Sequence, residues 1–147
     1  MAHDFKKFPE LTNNQLNFYY FDSPHKQITE SFRAKVIKVT DGDTIRVLWA
    51  ERDFDFPVRL SLIQAPELKQ QEGKESQNWL ENQLLNEEVD IIINPKNRIG
   101  RWGRIIGEIM KEGISINKLS MEEGKSKNFY REESGEIPPI EFWEVKI

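Results

Sequence analysis

At 147 residues, with 37% hydrophobic and 31% charged side chains, the chain is sized and composed for one globular domain with a sizeable core, not for a disordered segment. The absence of cysteine excludes a disulfide framework and a thiolate metal site, and the net charge of −4 argues against gripping nucleic acid through the overall field. No apolar run approaches the roughly 18 residues of a membrane span, and residues 1–14 lack the apolar core of a signal peptide, so a cytoplasmic protein without a membrane partner is expected.

Residues 1–30 read as an extension packed on the domain. Phe18-Tyr19-Tyr20-Phe21 is an aromatic cluster, expected to pack rather than to face water, followed by a turn at Asp22-Ser23-Pro24 and a short strand over 26–29. His3 and His25 have no companion at ligand spacing, so a histidine metal site or base is not expected. From Ser31, the alternation of Phe32, Ala34, Val36 and Lys38 with Arg33, Lys35 and Ile37 predicts a half-buried strand running into Asp41-Gly42-Asp43. A second strand covers 44–49 and a third 56–63, with Val58, Leu60 and Leu62 on one face and Arg59 and Ser61 on the other.

A polar loop over 68–73 leads to an amphipathic helix over 75–85, on which Trp79 is assigned to the core and not to base stacking. Residues 89–93 and 102–110 read as further strands, and 114–123 as a helix stopped by Gly124. Between the last two strands, residues 94–104 carry Lys96, Arg98, Arg101 and Arg104 with no acid, either a substrate channel or a solvated charged loop. Asn117 is expected to bond backbone and hold a loop. Five short strands with one helix after the third suit a mainly β fold, a small closed barrel of the OB type, over residues 31–131. Gly135 and Pro138-Pro139 break any helix near the end and leave 132–147 as a tail.

Four charged groups interrupt the strand-like region: Asp41, Asp43, Arg59 and Glu67. Antiparallel pairing of the second and third strands brings the first two near residues 64–67. Carboxylates hold a hard cation and the planar guanidinium matches phosphate oxygens, so the set suits a divalent ion plus a phosphate. Taken alone, Asp41-Gly42-Asp43 also reads as an ordinary turn, and Arg59 with Glu67 as a structural ion pair.

Asp41-Gly42-Asp43-Thr44, Val58-Arg59-Leu60, Ala65-Pro66-Glu67, Gly73-Lys74-Glu75 and Trp102-Gly103-Arg104 occur in the order and approximate spacing of the staphylococcal nuclease-like (thermonuclease) domain, which the chain resembles. The resemblance implies the OB-type barrel and a metal-dependent nuclease acting on DNA or RNA and leaving 3′-phosphates. It also implies roles. Asp43 would bind the catalytic Ca²⁺, with Asp41 supporting the metal site, Gln64 beside it and Ala65 offering its carbonyl. Arg59 and Arg104 would clamp the scissile phosphate, and Glu67 would act as general base toward water. Arg101, Trp102 and Tyr130, with Lys96 and Arg98, would line the nucleic-acid path, and a monomer preferring single strands is expected. Gln64 departs from the family pattern, which has an aspartate there, so Ca²⁺ is expected to bind weakly. The long carboxy-terminal helix of the family is also missing from the sequence pattern. A domain that binds single-stranded nucleic acid or a protein without turnover is the competing class. Arg59, Glu67 and Arg104 together favour the enzyme, because a pure binder needs no carboxylate beside a phosphate site.

Overall fold

The computed structural model describes residues 5–100 and 103–128. Its strands are β1 (Phe32–Asp41), β2 (Thr44–Leu48), β3 (Phe56–Leu60), β4 (Ile63–Gln64), β5 (Glu88–Ile92), β6 (Ile105–Lys111), β7 (Ile114–Ser115) and β8 (Lys127–Asn128). The helices among the described residues are α1 (Asn13–Tyr19), continued by a 3₁₀ turn, α2 (Gln71–Leu84) and α3 (Ile116–Glu122). The main sheet runs β3-β2-β1-β5-β6-β7, and β3 also pairs with β6 in parallel, so β1, β2, β3, β5 and β6 close into a five-stranded mixed barrel. This is the expected OB-type architecture, with α2 between the third and fourth barrel strands. Closure leaves none of these five with a long unpaired edge.

Alternation fills the barrel. Ala34 and Val36 of β1, Ile45 and Val47 of β2, Phe56, Val58 and Leu60 of β3, Val89 and Ile91 of β5 and Ile105 and Ile109 of β6 are all buried. Leu80 and Leu84 seal one end from α2, and Trp79 packs half-buried against the same core, donating its indole N–H to Glu123. Asn117 accepts from the Ile109 N–H and donates to the Ser61 carbonyl, tying α3 to β6 and to the end of β3.

Several local expectations need correction. The β1–β2 register shifts between Val36 and Lys38, so Val39 and not Lys38 continues the buried series. The strand expected over 56–63 breaks at Leu62, whose φ of 64° turns the chain and leaves Leu62 exposed, with Ile63 buried in β4. The loop expected over 68–73 is half helix: α2 begins at Gln71, and Gly73 lies in its first turn. No strand forms over 26–29, although Gln27 and Ile28 are buried. Phe18, Tyr20 and Phe21 are 79%, 51% and 96% exposed: Thr12 and Gln15 form a capping box that starts the two-turn α1, and α1 buries none of its residues.

Residues 5–30 are fastened to the barrel by a buried ion network. Glu10 lies between Arg52, with which it shares a short bond, and Arg98, 3.1 Å away, and all three are nearly inaccessible. Arg98 also donates to the carbonyls of Ile28 (2.6 Å) and Leu11 (2.9 Å) and to the Asn13 side chain. Arg52 stacks over Phe56 at 4.5 Å and donates to the Lys26 carbonyl.

Candidate active site

The site is built at the β1–β2 hairpin. Asp41 pairs with Thr44 across a two-residue turn, Gly42-Asp43, and Asp41 accepts the Asp43 N–H at 3.0 Å. Gly42 is there for clearance, since a Cβ would come within 2.0 Å of the Ser76 Oγ on α2. Gly73 serves the same purpose one turn earlier, where a Cβ would stand 1.9 Å from the Glu67 carbonyl oxygen. The helix therefore seats directly on the turn carrying the acidic pair and on the loop carrying Glu67.

Asp43 is the hub. One carboxylate oxygen accepts the Ala65 N–H at 2.9 Å and lies 3.6 Å from Arg59, while the other accepts from the Thr44 hydroxyl. Arg59 is buried and held by the carbonyls of Leu60 (2.9 Å) and Ile63 (2.8 Å), the latter reachable because the chain turns at Leu62. Arg104 enters from the start of β6, where the Gly100 N–H donates to its carbonyl and Gly103 adopts a φ of 69°. Its Nη1 donates to Thr44 at 3.3 Å, and its Nε is buried without a hydrogen-bond partner among the described residues. Burial, and then the nearby Arg59 charge, pull Arg104 below the usual arginine value, while Asp43 and Asp41 oppose. Burial and the neighbouring Asp43 push the Asp41 carboxyl up to about 6.

Such an acidic pair, one member resisting ionisation, is relieved by a cation. Asp41 and Asp43 are two adjacent carboxylates of the kind that hold a hard divalent ion, while Ala65 meets Asp43 through its N–H. No three acids, histidines or cysteines gather as a metal cage among the described residues, so the donor set is a weak one.

The remaining expected residues are dispersed. Glu67 follows the Ala65 loop but sits on the rim, 70% exposed and paired with Lys69 at 3.2 Å. No ion pair joins it to Arg59, which lies against Asp43 among the described residues. Lys96 is exposed. Arg98 cannot line a channel: its guanidinium is consumed by Glu10 and backbone carbonyls inside the protein. Arg101, Trp102 and Tyr130 lie outside the described residues. The structure adds groups that the sequence pattern did not single out. A groove of about 450 Å³ runs from Gln64 and Glu67 to Lys125 and Lys127, beside the β4–β8 pair. Their signal was a pair of lysines just past the glycine stop of a helix. Thr44, given no role of its own in the Asp41-Gly42-Asp43-Thr44 motif, joins Asp43 to Arg104 through one hydroxyl.

The class is that of small closed β-barrels, here with an acidic pair and two converging arginines at one hairpin. The chain belongs to the staphylococcal nuclease homologue family, whose model matches residues 57–146. It is 26% identical over 107 residues to an uncharacterized endonuclease of Escherichia coli, covering 72% of this chain and 67% of that protein. An uncharacterized protein of Bacillus anthracis is 31% identical over 101 residues, 65% of this chain and 46% of its own. A micrococcal nuclease of Shigella flexneri is 29% identical over 102 residues, 63% and 56% of the two chains. The chain thus spans about half to two thirds of the length of these curated relatives.

Proposed function

We propose that the chain is a nuclease that hydrolyses phosphodiester bonds of DNA or RNA, with Ca²⁺ as cofactor, single strands as preferred substrate and a 3′-phosphate product. The observation that carries this reading is the convergence of Arg59 and Arg104 on Asp43 and Thr44, with a buried Arg104 N–H lacking any acceptor among the described residues. A phosphate oxygen is the acceptor such a donor suits. The names of the endonuclease and micrococcal nuclease relatives support the same substrate class.

The chain's own residues would divide the work as follows. Arg59, fixed by two carbonyls, and Arg104, fixed by Thr44, stabilise the charge that grows on the phosphate oxygens as water attacks. Donors that are already oriented need no reorganisation at that moment. Glu67, on the rim beyond Ala65, takes the proton from the attacking water. Asp43 and Asp41, with Gln64 and Ala65 near them, would hold the ion. When bound, Ca²⁺ supplies positive charge to the phosphate and to the water.

Binding without turnover is the second reading, favoured by the exposure of Glu67 and by the two-carboxylate donor set. Degradation of single-stranded DNA with Ca²⁺, compared with the same assay in chelator, separates the two. Cleavage that chelator abolishes upholds the nuclease, whereas intact DNA that is nevertheless retained by the protein upholds the binder.

A further inference from the structure

The face that α2 turns toward the barrel carries Gly73, Ser76, Leu80 and Leu84, all buried, and Gln77 lies among them at helical spacing. Its side chain is half-buried, and Nε2 donates to the carbonyls of Val39 and Thr40, each at 3.2 Å. Those two carbonyls stand where β1 slips against β2. Val39 faces Ile45 and Asp41 faces Thr44, so Thr40 is an extra residue, a bulge beside the turn that carries the acidic pair.

We propose that Gln77 is a positioning residue, whose amide latches the bulge at Thr40 and thereby aims Asp41 at the site and not at the core. The inference rests on the reading of Asp41 and Asp43 as the pair that holds a divalent ion.

Strand parity shows what the bulge does. Side chains directly opposite each other on neighbouring strands share a face. Val39, Ile45 and Val58 form one row across β1, β2 and β3, and all three are buried in the core. Asp41, Thr44 and Arg59 form the next row, on the opposite face. Asp41 is two positions beyond Val39, and in an unbroken strand the period-2 alternation would put both on the core face. The extra residue reverses that parity, so the carboxylate joins Thr44 and Arg59 instead of entering an apolar barrel. There it accepts the Asp43 N–H at 3.0 Å, which ties the second acidic residue to the first.

A bulge disrupts the ladder locally, and its main-chain groups need partners from elsewhere. A side-chain amide nitrogen has two N–H groups, one for each carbonyl. The helix that presents it is itself fixed, because the neighbouring Ser76 is buried, donates to the Lys125 carbonyl at 2.7 Å and stands against Gly42. Ser76 therefore sets the distance of α2 from the turn, and Gln77 sets the register of the strand that leads into it.

Gln77→Met keeps a long unbranched side chain and good helix propensity, and removes both donors. Its effect is read first by NMR in chelator, where neither metal nor substrate takes part. Wild type is expected to show cross-strand contacts between Asp41 and Thr44 and a slowly exchanging Gln77 side-chain amide. In Gln77→Met those contacts should weaken and the Asp43 amide should exchange about ten-fold faster, in line with the loss of one or two hydrogen bonds. Calorimetric titration should then show Ca²⁺ bound about ten-fold more weakly, with kcat about ten-fold lower and KM for an oligonucleotide within about two-fold, since Arg59 and Arg104 keep their partners. Trp79→Phe, which removes a bond from the same helix to Glu123, controls for looser packing of α2 and is expected to leave the hairpin contacts and Ca²⁺ affinity unchanged. A Gln77 amide that exchanges freely in wild type, an Asp41–Thr44 pairing untouched by Gln77→Met, or equal losses in Trp79→Phe would overturn the latch, and the first of these holds even if the methionine variant does not fold. Wild-type Ca²⁺ affinity in a variant that has lost the pairing would overturn the positioning role. If the pairing shifts as expected but wild type neither binds Ca²⁺ nor cleaves, the latch stands and the nuclease reading falls. Cleavage by wild type with an unmoved hairpin in Gln77→Met has the opposite meaning.

Discussion

Glu10→Gln probes how strongly residues 5–30 are part of the barrel. Glu10 is 3% exposed, the Arg52 side chain 0% and the Arg98 side chain 2%, so the substitution strands two guanidinium groups that cannot deprotonate. Removing one partner of a buried ion pair destabilises by about 3–5 kcal/mol. Arg98 keeps three acceptors and suffers less, whereas two of the Arg52 nitrogens already lack an acceptor among the described residues, so Arg52 depends more on its carboxylate. The expected total is about 4 kcal/mol, a large share of the roughly 5–15 kcal/mol that domains of this kind have. In urea, with a slope of about 2 kcal/mol/M, the unfolding midpoint should fall by about 2 M. Adding Arg52→Met should recover part of the deficit by removing the stranded charge. A shift below about 0.5 M, on the same urea slope, would show that the three groups are solvated and that the segment merely rests on the barrel.

Asp41→Asn keeps the acceptor for the Asp43 N–H and removes the titration. Because the folded carboxyl titrates at about 6 against an ordinary 3.8, its stability contribution is present below about pH 3.8 and is lost as pH rises through about 6. The full shift corresponds to about 3 kcal/mol and, since the group is only partly buried and is screened by solvent, about 1–2 kcal/mol is expected, so the variant should out-stabilise wild type at pH 8 and match it at pH 3 in thermal melts. Arg104→Ala should lower kcat by about 10²–10³-fold and Glu67→Gln by about 10²–10⁴-fold with the circular dichroism unchanged; wild-type rates in both, in Ca²⁺, would remove these residues from the reaction. Gln64→Asp should tighten Ca²⁺ in calorimetric titration, most visibly without nucleotide, and unchanged affinity would place that side chain away from the ion.

What the sequence made legible was short-range. Period-2 alternation found the barrel strands, and charges placed where a strand would carry apolar groups led to Asp43 and Arg59, which the fold then brings within 3.6 Å. What stayed hidden depends on single-residue geometry or on distant partners. Two register shifts in β1 and a left-handed Leu62 change which of the neighbouring side chains face the core, and none of them has a composition signal. Arg98 resembles any other charge in a basic loop until Glu10, 88 positions away, is seen against it. The aromatic run at 18–21 misled for a related reason: its hydrophobicity carries no information on where α1 lies, and α1 buries none of its residues.

Two positions near the acidic pair are defined by atoms that are missing from them. With Gly42 against Ser76 and Gly73 against the Glu67 carbonyl, α2 works as a spacer gauge, fixing how far the hairpin stands from the loop that bears Gln64 and Glu67. A single methyl group at either glycine changes that gap before it changes any ligand. Variants with altered ion or substrate preference should therefore arise by exchange of rim side chains such as Gln64, Lys125 and Lys127, while mutational scans record 42 and 73 as intolerant although neither presents a functional group.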